Sequence, residues 1–209
     1  MDIIPELPYN IFMEKFTVLP DESMSEAGAM SKKFLELGVS SFHEACRYVH
    51  ELPYGYNSDR EDRMILFREN RGSCTTKHGV IAELAAELEL PVVKAVGIYP
   101  LDEEIVTGAD RILSKYSLPY LPMVHCFLES GDHRVDLTEG NDNGKNRPLD
   151  HFFYTEKVKP FISGRDEYLI YRGVLKEDIL NREEMKGIDL RRILYAREEA
   201  LALLRALVQ

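Results

Sequence analysis

The chain has 209 residues, 44% of them hydrophobic, enough to bury one good core carrying a helical appendage. Acidic residues exceed basic ones by 36 to 26, a formal charge of −10 that repels a polyanion on average and argues against nucleic-acid binding. No apolar run is long enough to cross a bilayer, and Met1 to Glu6 lack the basic start and apolar stretch of a signal peptide. With three scattered cysteines suggesting no disulfide framework, a cytoplasmic setting is expected.

In chain order, Glu22 to Leu37 and Ser40 to Leu52 read as two amphipathic helices broken at Gly38, and Pro53 to Ser58 as a turn. Met64 to Phe67 suggest a short helix leading to Arg71-Gly72-Ser73-Cys74-Thr75-Thr76-Lys77-His78. Gly72 breaks the preceding structure, and Ser73 is an N-cap residue type. Val80, Ile81, Leu84, Ala85 and Leu88 recur with helical period until Leu90-Pro91 ends the run. Cys74 thus falls in the first turn, where unpaired N–H groups and the helix dipole favour a thiolate. The spacing 74, 78, 81, 85, 88 turns it toward the body of the protein, away from a solvated Glu83/Glu87 side.

Val92 to Tyr99 read as a buried strand, and a short helix is expected near Ala109 to Lys115. Pro122 to Glu129 and Arg134 to Thr138 read as a hairpin with Gly131-Asp132 as a type II′ loop. That register pairs Glu129 with Arg134, Phe127 with Asp136 and His125 with Thr138 on one face. Asp136 is then the diagonal neighbour of His125, roughly 7–8 Å away between backbones, a gap that the two side chains can bridge. Glu129 opposite Arg134 makes a cross-strand charge pair. Val124, Cys126, Leu128, Val135 and Leu137 take the other, apolar face, which excludes Cys126 from the site.

The loop from Glu139 to Pro148 is polar and Gly/Asn-rich and could serve as a lid. Lys157 to Ile162 suggest one more strand, and after Gly164 the pattern is helical. The last helix carries an apolar stripe of Ile193, Leu194, Leu201, Leu204 and Val208 suited to intramolecular packing.

A Cys, a His and an Asp in these settings make a nucleophile, a base and an orienting carboxylate. The backbone N–H of Cys74 is the first oxyanion donor, and Asn70, Asn57 and Tyr56 are candidates for the second. Cys46 and Cys126 read as small buried hydrophobes and His78 as a packed histidine. With no Cys-x-x-Cys or His-x-x-x-His pair, no metal or other cofactor is expected.

Arg71-Gly72-Ser73-Cys74 opening a helix, Leu90-Pro91-Val92 leading to a strand ending at Gly97, His125-Cys126-Phe127-Leu128-Glu129 and Val135-Asp136-Leu137-Thr138 together resemble the core of the transglutaminase-like superfamily. The match covers about residues 55 to 138. The resemblance implies a papain-like α+β fold: a nucleophile helix packed on an antiparallel sheet, with extra helices at both ends. Length and composition suggest a single domain, 1–209, with a core at about 55–162 and a C-terminal helical extension at about 164–209. The resemblance also implies that Cys74 is the nucleophile, His125 the general base and acid, and Asp136 the orienting residue of an enzyme that forms a thioester from an amide or ester. The substrate would then be a peptide, a protein or a small amide or ester. Thr75 directly after the Cys, Phe127 two residues after the His, and the absence of any Trp depart from the family pattern and count against glutamine-to-lysine crosslinking. An arylamine N-acetyltransferase-like activity is a sub-alternative, since those enzymes also have Arg-Gly shortly before the Cys. A non-catalytic peptide- or protein-binding domain on the same fold is the alternative from another class.

Overall fold

A computed structural model describes residues 16–208; the expectations for Met1 to Glu6 and for the domain's first residues lie outside them. Seven α-helices and one open, four-stranded antiparallel sheet make the described chain mixed α+β. In order they are α1 (Ala29–Glu36), α2 (Phe42–Glu51), α3 (Ile65–Glu69), α4 (Cys74–Glu87), β1 (Val93–Leu101), α5 (Ala109–Tyr116), β2 (Leu121–Ser130), β3 (His133–Val135), β4 (Tyr154–Val158), α6 (Gly164–Glu177) and α7 (Leu190–Leu207). The strand order is β3-β2-β1-β4. None of the helices is long and apolar enough to cross a membrane.

α4 is the central element. It is buried without a break from Thr75 to Ala82 and again at Leu84 and Ala85, so it has no broad solvated face. The expected Glu83/Glu87 side is instead engaged. Glu83 pairs with Arg63 at 2.7 Å, and Glu87 caps another helix, accepting from the N–H groups of Met30 (2.9 Å) and Ser31 (2.7 Å) at the start of α1. α4 ends with Glu89 in the left-handed region (φ 56°) and Leu90 N–H bonded back to the Ala85 carbonyl at 2.8 Å.

The first helix is shorter than expected. Glu22 to Gly28 are not helical, because their backbone pairs with residues 40–42: Met24 N–H donates to Ser40 O at 2.7 Å and Phe42 N–H to Glu22 O at 2.9 Å. That pairing satisfies peptide groups that a helix would otherwise have used.

The β2–β3 register is the expected one, with Ser130 opposite His133, Glu129 opposite Arg134 and Leu128 opposite Val135. Gly131 takes φ 57° while Asp132 stays out of the positive region, as a type II′ turn requires. Arg134 does not pair with Glu129. Its guanidinium lies 4.5 Å from the Phe127 ring centroid and 4.6 Å from that of Phe152. The ladder also stops at Val135, so the expected pairs Phe127 with Asp136 and His125 with Thr138 do not form.

The expected last strand is displaced toward the N-terminus. β4 spans Tyr154–Val158 and pairs with β1 on the edge opposite β2. Pro160 instead leaves the sheet to cover α4, its carbonyl accepting from Lys94 Nζ at 2.9 Å.

Two apolar clusters flank the sheet. One joins α1, α2 and α4 to Leu128, Val135 and Leu137. The other joins β1 and the start of β2 to α5, α6 and α7. Within the latter, Ile193 and Leu204 of the predicted stripe are buried, and Leu194 and Leu201 pack against it.

Candidate active site

The end of β3 creates the site. Asp136 Oδ1 accepts from both the N–H (2.8 Å) and the hydroxyl (2.7 Å) of Thr138, a tight local turn that pulls the chain off the ladder. Two histidines then take the peptide groups of Leu137 that β2 would have bonded. Leu137 N–H donates to His78 Nε2 at 2.8 Å, and His50 Nδ1 lies 3.0 Å from Leu137 O. His78 Nδ1 is 2.7 Å from the Cys74 carbonyl, so this ring ties the first turn of α4 to the segment after β3. With both nitrogens engaged, His78 is unavailable as a metal ligand. Among the described residues no group of three or more His, Cys, Asp and Glu side chains converges on a metal position.

Cys74, His125 and Asp136 are brought together. His125, buried on β2, places Nε2 2.6 Å from Asp136 Oδ2. That leaves Nδ1 as the nitrogen facing the half-buried Cys74 sulfur at the start of α4. Burial pulls the His125 imidazole toward neutrality, but the Asp136 carboxylate and the Cys74 sulfur outweigh this and the Lys145 charge, holding its pKa at about 9. Burial acts to raise the Asp136 carboxyl, yet His125, by its charge and then by its hydrogen bond, holds it well below the usual carboxylate range. The Cys74 thiol is drawn well below its ordinary value. The largest influence is the neighbouring Cys126 thiol; burial opposes it, and His125 and Lys145 lower the Cys74 thiol further. A thiolate–imidazolium pair held by a carboxylate is the state these shifts favour at neutral pH.

Cys126 therefore corrects the strand-parity expectation. Its thiol, pushed well above the ordinary range first by the neighbouring Cys74 sulfur and then by burial, points its proton at Glu167 Oε2, 4.0 Å away. It also lies 3.5 Å from Thr75 Oγ1. Where β3 stops, β2 loses its outer neighbour. The start of α4 meets both His125 and Cys126 there, so alternation of faces does not separate the two thiols.

The candidates for a second oxyanion donor separate clearly. Asn57 is committed to bracing the loop: its Nδ2 donates to Glu69 and to Arg71 O, both at 3.0 Å, and its Oδ1 accepts from Thr76 at 2.7 Å. Asn70 is exposed at the C-cap of α3 in the left-handed conformation (φ 50°), a backbone role that suits Asn. Neither offers a free donor to the site. Tyr56 does stand beside Cys74, its phenol pushed up to about 12 by burial and then by the thiolate. Tyr54, which the sequence reading passed over, comes closer. Its pKa is raised well above the ordinary phenol value by burial and then by Cys74, and its hydroxyl meets both the backbone N–H and the sulfur of that residue. The residues around it fix the approach, since Tyr54 bridges Gly72 and Gly72 N–H donates to Pro53 O at 3.1 Å. A Cβ at Gly72 would lie 2.9 Å from Thr76 Oγ1 and 3.0 Å from Leu66 Cδ1, so the close packing ahead of Cys74 needs glycine.

Other residues near Cys74 are structural. Lys77 is fully buried and donates to His50 O (3.1 Å), Leu52 O and Asn141 Oδ1 (2.5 Å), with its pKa pushed down to about 7 by burial against the Asp136 charge. The loop from Glu139 to Pro148 is correspondingly braced. Asn141 Nδ2 donates to His50 O at 2.8 Å, Asn143 Nδ2 to Thr138 O at 2.7 Å, and Asn146 N–H to Ile105 O at 2.8 Å. It is a fixed wall of the site in this structure.

No protein-family model matches the chain, and no curated protein or solved structure matches it either.

Proposed function

We propose that this chain is a cysteine-dependent acyl-transfer enzyme of transglutaminase-like type, on a papain-like arrangement of a helix-borne Cys and a strand-borne His. The observation that carries the reading is the Cys74, His125 and Asp136 relay, in which each shift favours the charge state that the chemistry needs. The Cys74 thiolate attacks the carbonyl of an amide or ester, forming the C–S bond. The oxyanion takes the place of the Tyr54 oxygen at the Cys74 N–H and accepts from the hydroxyl of Tyr54 or Tyr56. His125 gives its Nδ1 proton to the departing amine or alcohol as the C–N or C–O bond breaks. The neutral ring then takes a proton from water or an amine as it attacks the thioester, releasing the acyl product and restoring the thiolate. Asp136 holds the ring by Nε2 throughout.

Alkylation by iodoacetamide tests the reading. Cys46 and Cys126 are both held above the ordinary thiol range, so fast modification reports on Cys74. The expected result is rapid alkylation that persists below about pH 7, vanishes in Cys74→Ala and shifts to the alkaline range in His125→Ala. A rate that rises with an ordinary thiol pKa of about 8.5 and ignores His125 would overturn the proposal.

A further inference from the structure

One cation at the site has no direct hydrogen-bond or ion-pair partner among the described residues. Lys145 lies in the braced wall between Asp136 and β4, where its N–H bonds Asn143 Oδ1 at 3.0 Å and its neighbour Asn146 is tied to Ile105. Gly144 (φ 77°) precedes it, packed so closely on the end of α7 that a Cβ there would sit 3.3 Å from Leu207 Cβ. The backbone is thus fixed on both sides, and the side chain runs inward. Its ammonium stands 5.9 Å from the Tyr54 ring centroid, and its charge is felt at Cys74, His125 and Asp136. It makes no hydrogen bond or ion pair among the described residues, and it is not one of the nitrogens sealed from solvent without a partner. Lys77, by contrast, satisfies its ammonium with three oxygens. A second cation stands nearby, with the exposed Arg205 guanidinium 5.3 Å from the Tyr56 ring centroid. Lys145 and the two tyrosines thus stand beside the Cys74 sulfur, with Arg205 behind Tyr56 adding positive charge in a chain of net charge −10.

We propose that Lys145 is a specificity residue: it selects substrates that carry a carboxylate beside the scissile carbonyl, with Arg205 adding positive charge on the Tyr56 side. This rests on the acyl-transfer reading and names its substrate class. A half-buried ammonium that feels the Cys74 and Asp136 charges without a hydrogen bond to either is incompletely satisfied in the free protein, and a substrate carboxylate supplies the charge-assisted hydrogen bond it lacks. The same ammonium stabilises the Cys74 thiolate, so the test must separate recognition from activation.

Two alkylating reagents of nearly equal size do this. Iodoacetate and iodoacetamide react with the thiolate by the same displacement, an S–C bond forming as iodide leaves, and differ in the carboxylate. Thiolate activation changes both rates together, whereas carboxylate recognition changes their ratio. In the intact protein at about pH 6.5 and fixed ionic strength, the iodoacetate-to-iodoacetamide rate ratio is expected to exceed that of a simple thiol by about tenfold, the worth of one charged hydrogen bond. Lys145→Gln should remove most of the preference, leaving only what the His125 and Arg205 charges contribute, and Lys145→Arg should retain most of it. A wild-type ratio equal to that of the simple thiol, or one unchanged by Lys145→Gln, overturns the proposal while fast iodoacetamide alkylation leaves the acyl-transfer reading standing. Slow alkylation by both reagents below pH 7 overturns the two together.

Discussion

Asp136 performs two jobs with two oxygens. Oδ1 closes the turn with Thr138, and Oδ2 holds His125. Asp136→Asn keeps the shape but places an amide where a carboxylate should accept, so on the proposed mechanism acyl transfer should fall about 10²–10⁴-fold, measured as single-turnover acylation. The same substitution has a signature in stability. The Asp136 carboxyl is depressed on folding, so its contribution is present above its unfolded value of about 3.9 and is lost as pH falls through the folded value. The His125 imidazole is raised to about 9, so its contribution is complete below the unfolded value of about 6.5 and is lost as pH rises toward 9. The stability gap between wild type and Asp136→Asn is therefore expected to be widest between about pH 4 and 6.5 and to narrow on both sides. Urea midpoints at about pH 3, 5.5 and 9.5 check this; a gap independent of pH would show that the pair is not ionised as described.

At the scale of elements, the docking of α4 decides where Cys74 points. Lys94 Nζ on β1 donates to Thr75 O and to Pro160 O, both at 2.9 Å, pinning the helix start and the turn after β4 to one side chain. Gly79 lets that turn approach, since a Cβ there would sit 2.7 Å from Pro160 O. Gly79→Ala should therefore destabilise by about 1–2 kcal/mol although Ala is the better helix former. Gly173→Ala in α6, where a Cβ meets nothing within 4 Å, should instead raise the melting temperature slightly. Opposite signs in a pair of thermal melts are the expected outcome, and equal signs would contradict the packing. Much at this scale was legible in the chain. The apolar period and Leu90-Pro91 mark α4, β-branched residues mark β1, and Gly131-Asp132 sets the hairpin register. What was not legible depends on partners distant in sequence. The early end of β3 follows from His50 and His78 taking the Leu137 peptide groups, and the loss of helix at Glu22 to Gly28 follows from pairing with residues 40–42. Tyr54 and Lys145 carried no motif, and only the fold brings them to Cys74. Cys126 was misplaced because parity gives a direction and says nothing of where the ladder ends.

Over the whole molecule, the site lies between two apolar clusters that support different parts of it. The cluster of α1, α2 and α4 seats the helix that carries Cys74. The cluster of α5, α6 and α7 supports the opposite wall, because Leu204 belongs to it and lies 3.6 Å from where a Gly144 Cβ would be, one residue before Lys145. Leu204→Ala and Phe34→Ala each remove a buried side chain and should each cost about 2–5 kcal/mol, so stability alone does not tell them apart. The site should. Well below either melting temperature, Leu204→Ala loosens the support under Gly144 and is expected to reduce the iodoacetate-to-iodoacetamide preference. Phe34→Ala, packed edge-on against Tyr48 and Phe67 on the other side of the molecule, should leave the preference intact. If both substitutions changed the ratio, or neither did, α7 would not be what holds the Lys145 wall in place, and the division of labour between the clusters would fail with it.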